Sequence, residues 1–99
     1  MRVKEEHQEI YFFLQAAEEK LVLLEQQARA LEKEGKDVSY PDREGPKIAY
    51  NLNYLLTEIR EFGPYNDIEA LLGTSFQEIK DHINKSLERL EKAISELQK

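Results

Sequence analysis

Cysteine and tryptophan are missing from this sequence of 99 residues, and histidine occurs only twice. Without cysteine, the chain can form no disulfide, no thiolate nucleophile and no cysteine-ligated zinc site. The four glycines are separated from one another, which excludes a glycine-rich loop that cradles phosphate. The G-x-S-x-G turn of serine hydrolases is missing as well. Because the common settings for catalysis are lacking, we expect no enzyme activity and no cofactor.

Long apolar runs and a surplus of basic residues are also missing. No segment approaches the roughly 20 apolar residues that span a membrane, and the N-terminal MRVKEEHQE has no hydrophobic signal segment. We therefore expect a cytoplasmic protein with no membrane partner. Asp and Glu number 20 against 14 Lys and Arg, which gives a net charge of −6. Since binding to a phosphate backbone needs clustered positive charge, nucleic acid is not an expected partner.

The residues that are present favour one all-helical domain over residues 1–99. Hydrophobic residues make up 40% of the chain, and Leu and Ile recur at helical spacing, whereas no segment alternates as a strand does. The pattern predicts an all-α antiparallel bundle of three main helices, at about 3–34, 46–62 and 75–98. A short helical turn is predicted at 66–72. We expect self-association to complete this bundle.

The longest predicted loop covers residues 36–45, KDVSYPDREG, with Pro41 and Gly45 as helix breakers. The second helix is expected to begin between Asp42 and Pro46, since proline is tolerated in a first helical turn.

Glycines and capping residues mark the other predicted helix ends. Gly35 fits the position that follows a helix C-terminus, and Gly63, followed by proline, stops the second helix. Asn66 is expected to cap the short turn. Ser75 with Glu78 fits the capping-box pattern at the start of the last helix, and Thr74 with Gln77 fits it too.

The first predicted helix carries an uninterrupted heptad of residues expected to face the core. Its members are Val3, His7, Ile10, Leu14, Ala17, Leu21, Leu24, Ala28 and Leu31. The core-facing heptad cannot cover every side chain of the run IYFFL at residues 10–14. Five consecutive helical residues point in all directions, because each is turned by about 100° from the last.

A second apolar stripe is predicted on the opposite side of the same helix. Its members are Phe12, Ala16, Leu23 and Ala30. They lie roughly 200–240° around the helix from Ile10, and Tyr11 occupies the flank between the two stripes. Helices that are apolar on two sides are usually buried twice, and most oligomers are homo-oligomers. We therefore predict that this stripe is the self-association interface of a homodimer, with isolated surface aromatics as the simpler alternative.

Tyrosines are concentrated in the middle third of the chain. Tyr50 and Tyr54 lie one turn apart on the side of the second helix that faces away from the core, and Tyr40 and Tyr65 are close in sequence. Tyrosine is enriched at interfaces because it combines a flat apolar body with a hydrogen-bonding tip. Tyr11, Tyr50 and Tyr54 are therefore predicted to contribute to the interface or to bind a second protein.

The two histidines do not predict a metal site. His7 belongs to the first heptad near the N-terminus, where we expect a half-buried side chain. His82 borders the core face of the last helix with Glu78 one turn earlier, a pair that could share a metal. A di-metal bundle requires Glu-x-x-His on two helices, but Lys4 and Ile79 stand three residues before the histidines. We expect no bound metal.

Residues 67–85 offer the alternative function of a small DNA-binding regulator. A short helix ending in Leu-Leu-Gly, then Thr-Ser and a further helix, resembles the helix-turn-helix pattern. The residue four before the glycine is usually small in that motif, whereas here it is Glu69. The second helix of the motif would present side chains that are mostly polar or acidic: Gln77, Glu78, Lys80, Asp81 and Asn84.

The sequence therefore predicts a non-enzymatic, self-associating helical module that acts as an adaptor or regulator. The expected partner is a second copy of the chain, and a further protein partner remains open. The pattern does not decide whether the paired helices run parallel or antiparallel.

Overall fold

The computed structural model describes residues 4–64 and 66–99, so Val3 and Tyr65 lie outside the described residues. A 3-10 turn at Glu5–His7 precedes four helices: α1 (Gln8–Lys33), α2 (Ser39–Phe62), α3 (Ile68–Leu72) and α4 (Phe76–Leu97). The helices α1, α2 and α4 each pack against the other two in a bundle about 49 Å long. The predicted all-α bundle of three main helices and a short helical turn is confirmed.

The core of the bundle is made almost entirely of leucine and isoleucine. The heptad of α1 is buried along its whole length: Ile10, Leu14, Ala17, Leu21, Leu24, Ala28 and Leu31. Leu52 of α2 and Ile83 of α4 meet this heptad and are themselves almost completely buried. No helix in the described part of the chain is long and apolar enough to cross a membrane.

The C-terminus of α1 ends at a glycine, as predicted. Gly35 has a φ of 84°, in the left-handed region that residues with a Cβ rarely adopt. Its N–H donates to the Glu32 carbonyl at 3.0 Å, and the N–H of Lys36 donates to the Leu31 carbonyl at 3.1 Å. These two hydrogen bonds form a Schellman motif, which turns the chain sharply towards α2.

The helix α2 begins at Ser39, so residues 39–45 are helical rather than part of the predicted loop. The Asp37 carboxylate accepts hydrogen bonds from the Ser39 hydroxyl and from its backbone N–H, the latter at 3.0 Å. This satisfies a donor in the first turn that a helix leaves unpaired. The same two hydrogen bonds hold the pKa of the Asp37 carboxyl below its usual value.

Proline and glycine do not break α2 because each occupies a position that tolerates it. Pro41 lies in the first turn, where a backbone N–H would have no helical partner. Pro46 lies inside the helix at the cost of one backbone hydrogen bond. Gly45 is buried against α1, where an added Cβ would lie 3.1 Å from Glu25 Oε1. The only atoms this close to it belong to the flexible side chain of Glu25.

Alanine is expected to have opposite effects at Gly45 and Gly63. At Gly45 the new methyl group meets only the flexible end of Glu25, and replacing a helical glycine stabilises a protein by about 0.5–1 kcal/mol. At Gly63 it would lie well inside contact distance of the Ile59 carbonyl oxygen and 3.2 Å from His7 Nδ1, so we expect a loss of about 1–3 kcal/mol. Urea denaturation measures both changes. An equal loss at both positions would contradict this account of α2.

The helices α3 and α4 begin at capped N-termini. Asp67 caps α3, in place of the predicted Asn66, and its carboxylate accepts from the Glu69 N–H at 3.1 Å. The helix begins at residue 68, and an ionised carboxylate directly before it suits the positive end of the helix dipole. Ser75 caps α4 as predicted, accepting from the Glu78 N–H at 3.1 Å.

Candidate functional site: two helix surfaces

The predicted apolar stripe lies on the solvent side of α1. Phe12 and Leu23 are 63% and 59% exposed, and Ala16 and Ala30 are exposed on the same side. The helices α2 and α4 cover the opposite side of α1, where its heptad is buried. The structure therefore brings the four predicted residues together on one helix face. Their role as a self-association interface stays a prediction.

The stripe belongs to a wider surface that we call the α1 outward face. Its members are all solvent-exposed: Phe12, Gln15, Ala16, Glu19, Leu23, Gln26, Gln27 and Ala30. Glu19 is the one ionisable residue in this set, although 34% of the chain is charged. The solvent side of α4 carries a charged residue at successive turns: Lys85, Glu88, Lys92 and Glu96. A solvent side with exposed apolar residues and little charge is the composition expected of a covered surface.

Three charged residues of α1 lie at its edges and pair with the neighbouring helices: Glu9, Lys20 and Arg29. Lys80 of α4 donates to Glu9 Oε1 at 2.6 Å, and its ammonium lies 6.0 Å from the centroid of the Phe13 ring. The hydrogen bond and the positive charge of Lys80 together lower the pKa of the Glu9 carboxyl. Lys20 forms a second ion pair to α4, with Glu91 at 3.5 Å. These contacts join one edge of α1 to α4.

The edge of α1 that faces α2 carries Tyr11 and Val22. Tyr11 is half-buried, packs against the core, and has its ring centroid 6.4 Å from that of Phe12. Arg29 pairs with Asp42 towards the other end of this edge. Tyr11 therefore supports the chain's own core and borders the α1 outward face. Its predicted role in an interface or in partner binding stays a prediction.

A second uncharged surface, which we call the α2 tyrosine face, consists of Tyr50, Asn51, Asn53 and Tyr54. Tyr50 and Tyr54 are 73% and 49% exposed, and both asparagines are exposed between them. Beside Tyr54, an open groove of about 300 Å³ lies between α2 and α4. Its lining has an apolar floor and polar edges: Asn51, Tyr54, Leu55, Thr74, Glu78, Ile79, His82 and Ile83.

The α1 outward face and the α2 tyrosine face are separate surfaces. Because α1, α2 and α4 each pack on the other two, the sides that face away from the bundle axis point in different directions. Tyr40 does not join Tyr50 and Tyr54; it packs beside the core with the guanidinium of Arg43 5.4 Å from its ring centroid. The tyrosines that are close in sequence therefore do not form one cluster.

Sequence reasoning missed two sets of residues in these surfaces. The glutamines Gln15, Gln26 and Gln27 extend the α1 outward face, and the scarcity of charge on this side of the helix between residues 12 and 30 was available as their signal. The α4 side of the groove, with Thr74 and His82, had no such signal, because it depends on how α2 and α4 pack.

His7 is buried at one end of the bundle, rather than half-buried as predicted. It is 3% exposed and lies edge-on to the ring of Phe76, with the ring centroids 5.7 Å apart. Its Nε2 lies 3.9 Å from Glu6 Oε1, while its Nδ1 has no hydrogen-bond partner among the described residues. A buried polar atom without a partner costs about 1–3 kcal/mol, which makes His7 a candidate for a stabilising replacement.

Replacing His7 with leucine is expected to stabilise the protein by about 1 kcal/mol. Leucine removes the unpaired nitrogen and retains apolar contact with Phe76. The same replacement at the exposed His82 is the control, with an expected change below about 0.5 kcal/mol. Chemical denaturation measures both variants. A loss of stability at His7 alone would show that the imidazole makes a polar interaction that leucine cannot replace.

The Glu78 side chain, one turn before His82, is hydrogen-bonded at the start of α4. The Glu78 carboxylate accepts hydrogen bonds from the hydroxyls of Thr74 and Ser75, each at 3.3 Å. In the described part of the chain, no group of three or more histidine or acidic side chains is placed to hold a metal ion.

In the segment with the helix-turn-helix pattern, residues 67–85, Glu69 contributes to the N-terminal cap of α4. The Glu69 carboxylate accepts from the Phe76 N–H at 2.7 Å and so helps to cap α4. Lys80 is engaged by Glu9. DNA binding by this segment stays a prediction. It would be supported if the protein shifted the mobility of duplex DNA at low salt and Lys85→Glu abolished the shift.

Comparisons with known protein families, curated proteins and solved structures found no match to this chain. Its function therefore has to be argued from its own surfaces.

Proposed function

We propose that this protein is a non-enzymatic helical interaction module of the cytoplasm that self-associates through the α1 outward face and acts as an adaptor or regulator. The observation that carries this proposal is the exposure of Phe12 and Leu23 on a helix side that, between residues 12 and 30, has a single ionisable residue, Glu19. The solvent side of α4 shows that the chain places charge on a helix side that faces water.

The expected strength of this association is modest. Burying a Phe or Leu side chain contributes about 1.5–3 kcal/mol, so the two copies of Phe12 and Leu23 contribute roughly 6–12 kcal/mol. Association costs about 4–15 kcal/mol in lost translational and rotational freedom. The surplus is about 8 kcal/mol in the most favourable case, so we expect a dimer with a dissociation constant no lower than roughly micromolar.

Light scattering over a range of protein concentrations tests the proposal. We expect the mass to rise from 11.6 kDa towards twice that value between about 1 µM and 1 mM. Because the α1 outward face is nearly uncharged, added salt should not weaken the association. A constant mass of 11.6 kDa would overturn the proposal. If added salt abolished the association, charged surfaces rather than the α1 outward face would mediate it.

The α2 tyrosine face is proposed to bind a second protein. Tyr50 and Tyr54 offer apolar rings with hydroxyl tips beside an open groove, and asparagine amides surround them. If this face is separate from self-association, Tyr50→Lys with Tyr54→Lys leaves the dependence of mass on concentration unchanged. Loss of the dimer in that variant would place the tyrosines in the self-association interface.

A further inference from the structure

The α1 outward face contains a heptad with a definite order of large and small residues. At spacings of four and three it runs through Phe12, Ala16, Glu19, Leu23, Gln26 and Ala30. Phenylalanine stands near one end of this series and alanine at the other. The series is centred at residue 21, and α1 itself, Gln8–Lys33, is centred within one residue of the same point.

We propose that α1 of a second copy lies antiparallel on this face, so that Phe12 packs on Ala30 of the second copy. In the same register Ala16 meets Gln26 of the second copy, and Glu19 meets Leu23 of the second copy. This inference rests on the proposed self-association and adds the orientation and register of the partner. Alternate positions of one heptad then meet in layers, as they do in antiparallel coiled coils.

Side-chain volume favours this register over a parallel one. In the antiparallel pair, the ring of Phe12 lies over the small methyl group of Ala30 at both ends of the interface. A parallel pair in register would stack Phe12 on its copy and leave Ala16 facing Ala16 and Ala30 facing Ala30. Helices cannot approach closely at an aromatic layer and at alanine layers together, and the gaps that remain are destabilising.

Charge favours the same arrangement. Glu19 is the one ionisable residue of the α1 outward face, and a parallel pair would place it directly opposite its own copy. Like charges directly opposed across a helix interface are destabilising. The antiparallel register places Leu23 opposite Glu19 and separates the two carboxylates along the axis. It also sets each helix N-terminus beside a C-terminus, which suits the helix dipoles.

The proposed register also gives the greatest overlap that α1 permits. Because the heptad and the helix are centred within one residue of each other, the two copies align over residues 9–33, about 38 Å at 1.5 Å per residue. A shift by one heptad in either direction would bring the aromatic ring of Phe12 against Leu23 or beyond the end of the partner's helix. The pattern of side chains and the length of the helix therefore select the same pairing independently.

Disulfide crosslinking tests the register directly, because the natural chain has no cysteine. Ala16→Cys and Gln26→Cys are made as separate variants, both at exposed positions. In the antiparallel register, oxidation of an equal mixture links Cys at position 16 of one chain to Cys at position 26 of the other. Each variant alone stays uncrosslinked, because the two introduced cysteines of its dimer lie about 15 Å apart along the axis. A disulfide spans at most roughly 7 Å between Cα atoms.

The outcomes separate this inference from the proposed function. A mixed crosslink several-fold stronger than in either variant alone supports the antiparallel register. Efficient crosslinking of each variant with itself would overturn it in favour of parallel pairing. A dimer in light scattering without any of these crosslinks would also overturn it. A monomer at every concentration would overturn the proposed function itself. Lys85→Cys and Lys92→Cys on α4 are the matched controls, and we expect no crosslink between them.

Discussion

The variant with Phe12→Glu and Leu23→Glu is expected to be monomeric at concentrations where the natural protein is a dimer. Both residues lie on the α1 outward face, and a two-fold dimer would bury four new carboxylates. Removing an unpaired charge from water costs several kcal/mol, so we expect the dissociation constant to rise at least about 1,000-fold, or about 4 kcal/mol. The free energy of unfolding of the monomer should change by less than about 1 kcal/mol, because both positions are exposed.

The matched control carries the same added charge on another helix. Asn84→Glu with Ser95→Glu adds two negative charges to the solvent side of α4, where both residues are exposed. We expect this variant to associate like the natural protein in sedimentation equilibrium. If both double variants dissociated alike, net charge rather than the α1 outward face would explain the loss. If neither dissociated, the interface would lie elsewhere.

Leu52→Ala is expected to cause the largest loss of stability among single core truncations in α2. Leu52 is completely buried where α2 meets α1 and α4, and truncation removes apolar contact and leaves a cavity. Such changes cost about 2.7–5 kcal/mol, a large share of the roughly 5–15 kcal/mol that stabilises a domain. Thermal unfolding at low protein concentration should shift the Tm down by about 4–8 °C for each kcal/mol lost.

Leu71→Ala in α3 provides the control for this truncation. Leu71 is 48% exposed, so the same chemical change removes much less buried surface, and we expect a loss below about 1 kcal/mol. Equal losses at Leu52 and Leu71 would contradict the placement of the core between α1, α2 and α4.

The number, order and buried faces of the helices could be predicted from sequence because they follow local rules. The heptad of α1 has a period that only a helix can place on one side, and Gly35 and Ser75 act on their own neighbours. Where the rules compete, prediction failed. Pro41 and Gly45 normally interrupt helices, but here the Asp37 carboxylate accepts from the Ser39 N–H in the first turn, and Gly45 is buried against the Glu25 side chain.

The candidate surfaces could be predicted only in part, for a similar reason. The exposure of Phe12 and Leu23 follows from their angle on α1 relative to the buried heptad. The groove beside Tyr54 is formed by residues of α2 and α4 that are far apart in sequence, so no local sequence pattern predicts it. The full burial of His7 likewise depends on distant residues, because Gly63 and Phe76 both lie against its ring at one end of the bundle.

Hydroxyl-radical footprinting at increasing protein concentration tests most directly whether the α1 outward face is the self-association surface. Phe12 is exposed in the single chain, so its oxidation at low concentration should be rapid. We expect its oxidation rate to fall several-fold as the dimer forms, while that of Tyr50 on the α2 tyrosine face stays constant. Unchanged oxidation of Phe12 in a solution where light scattering shows a dimer would contradict the account.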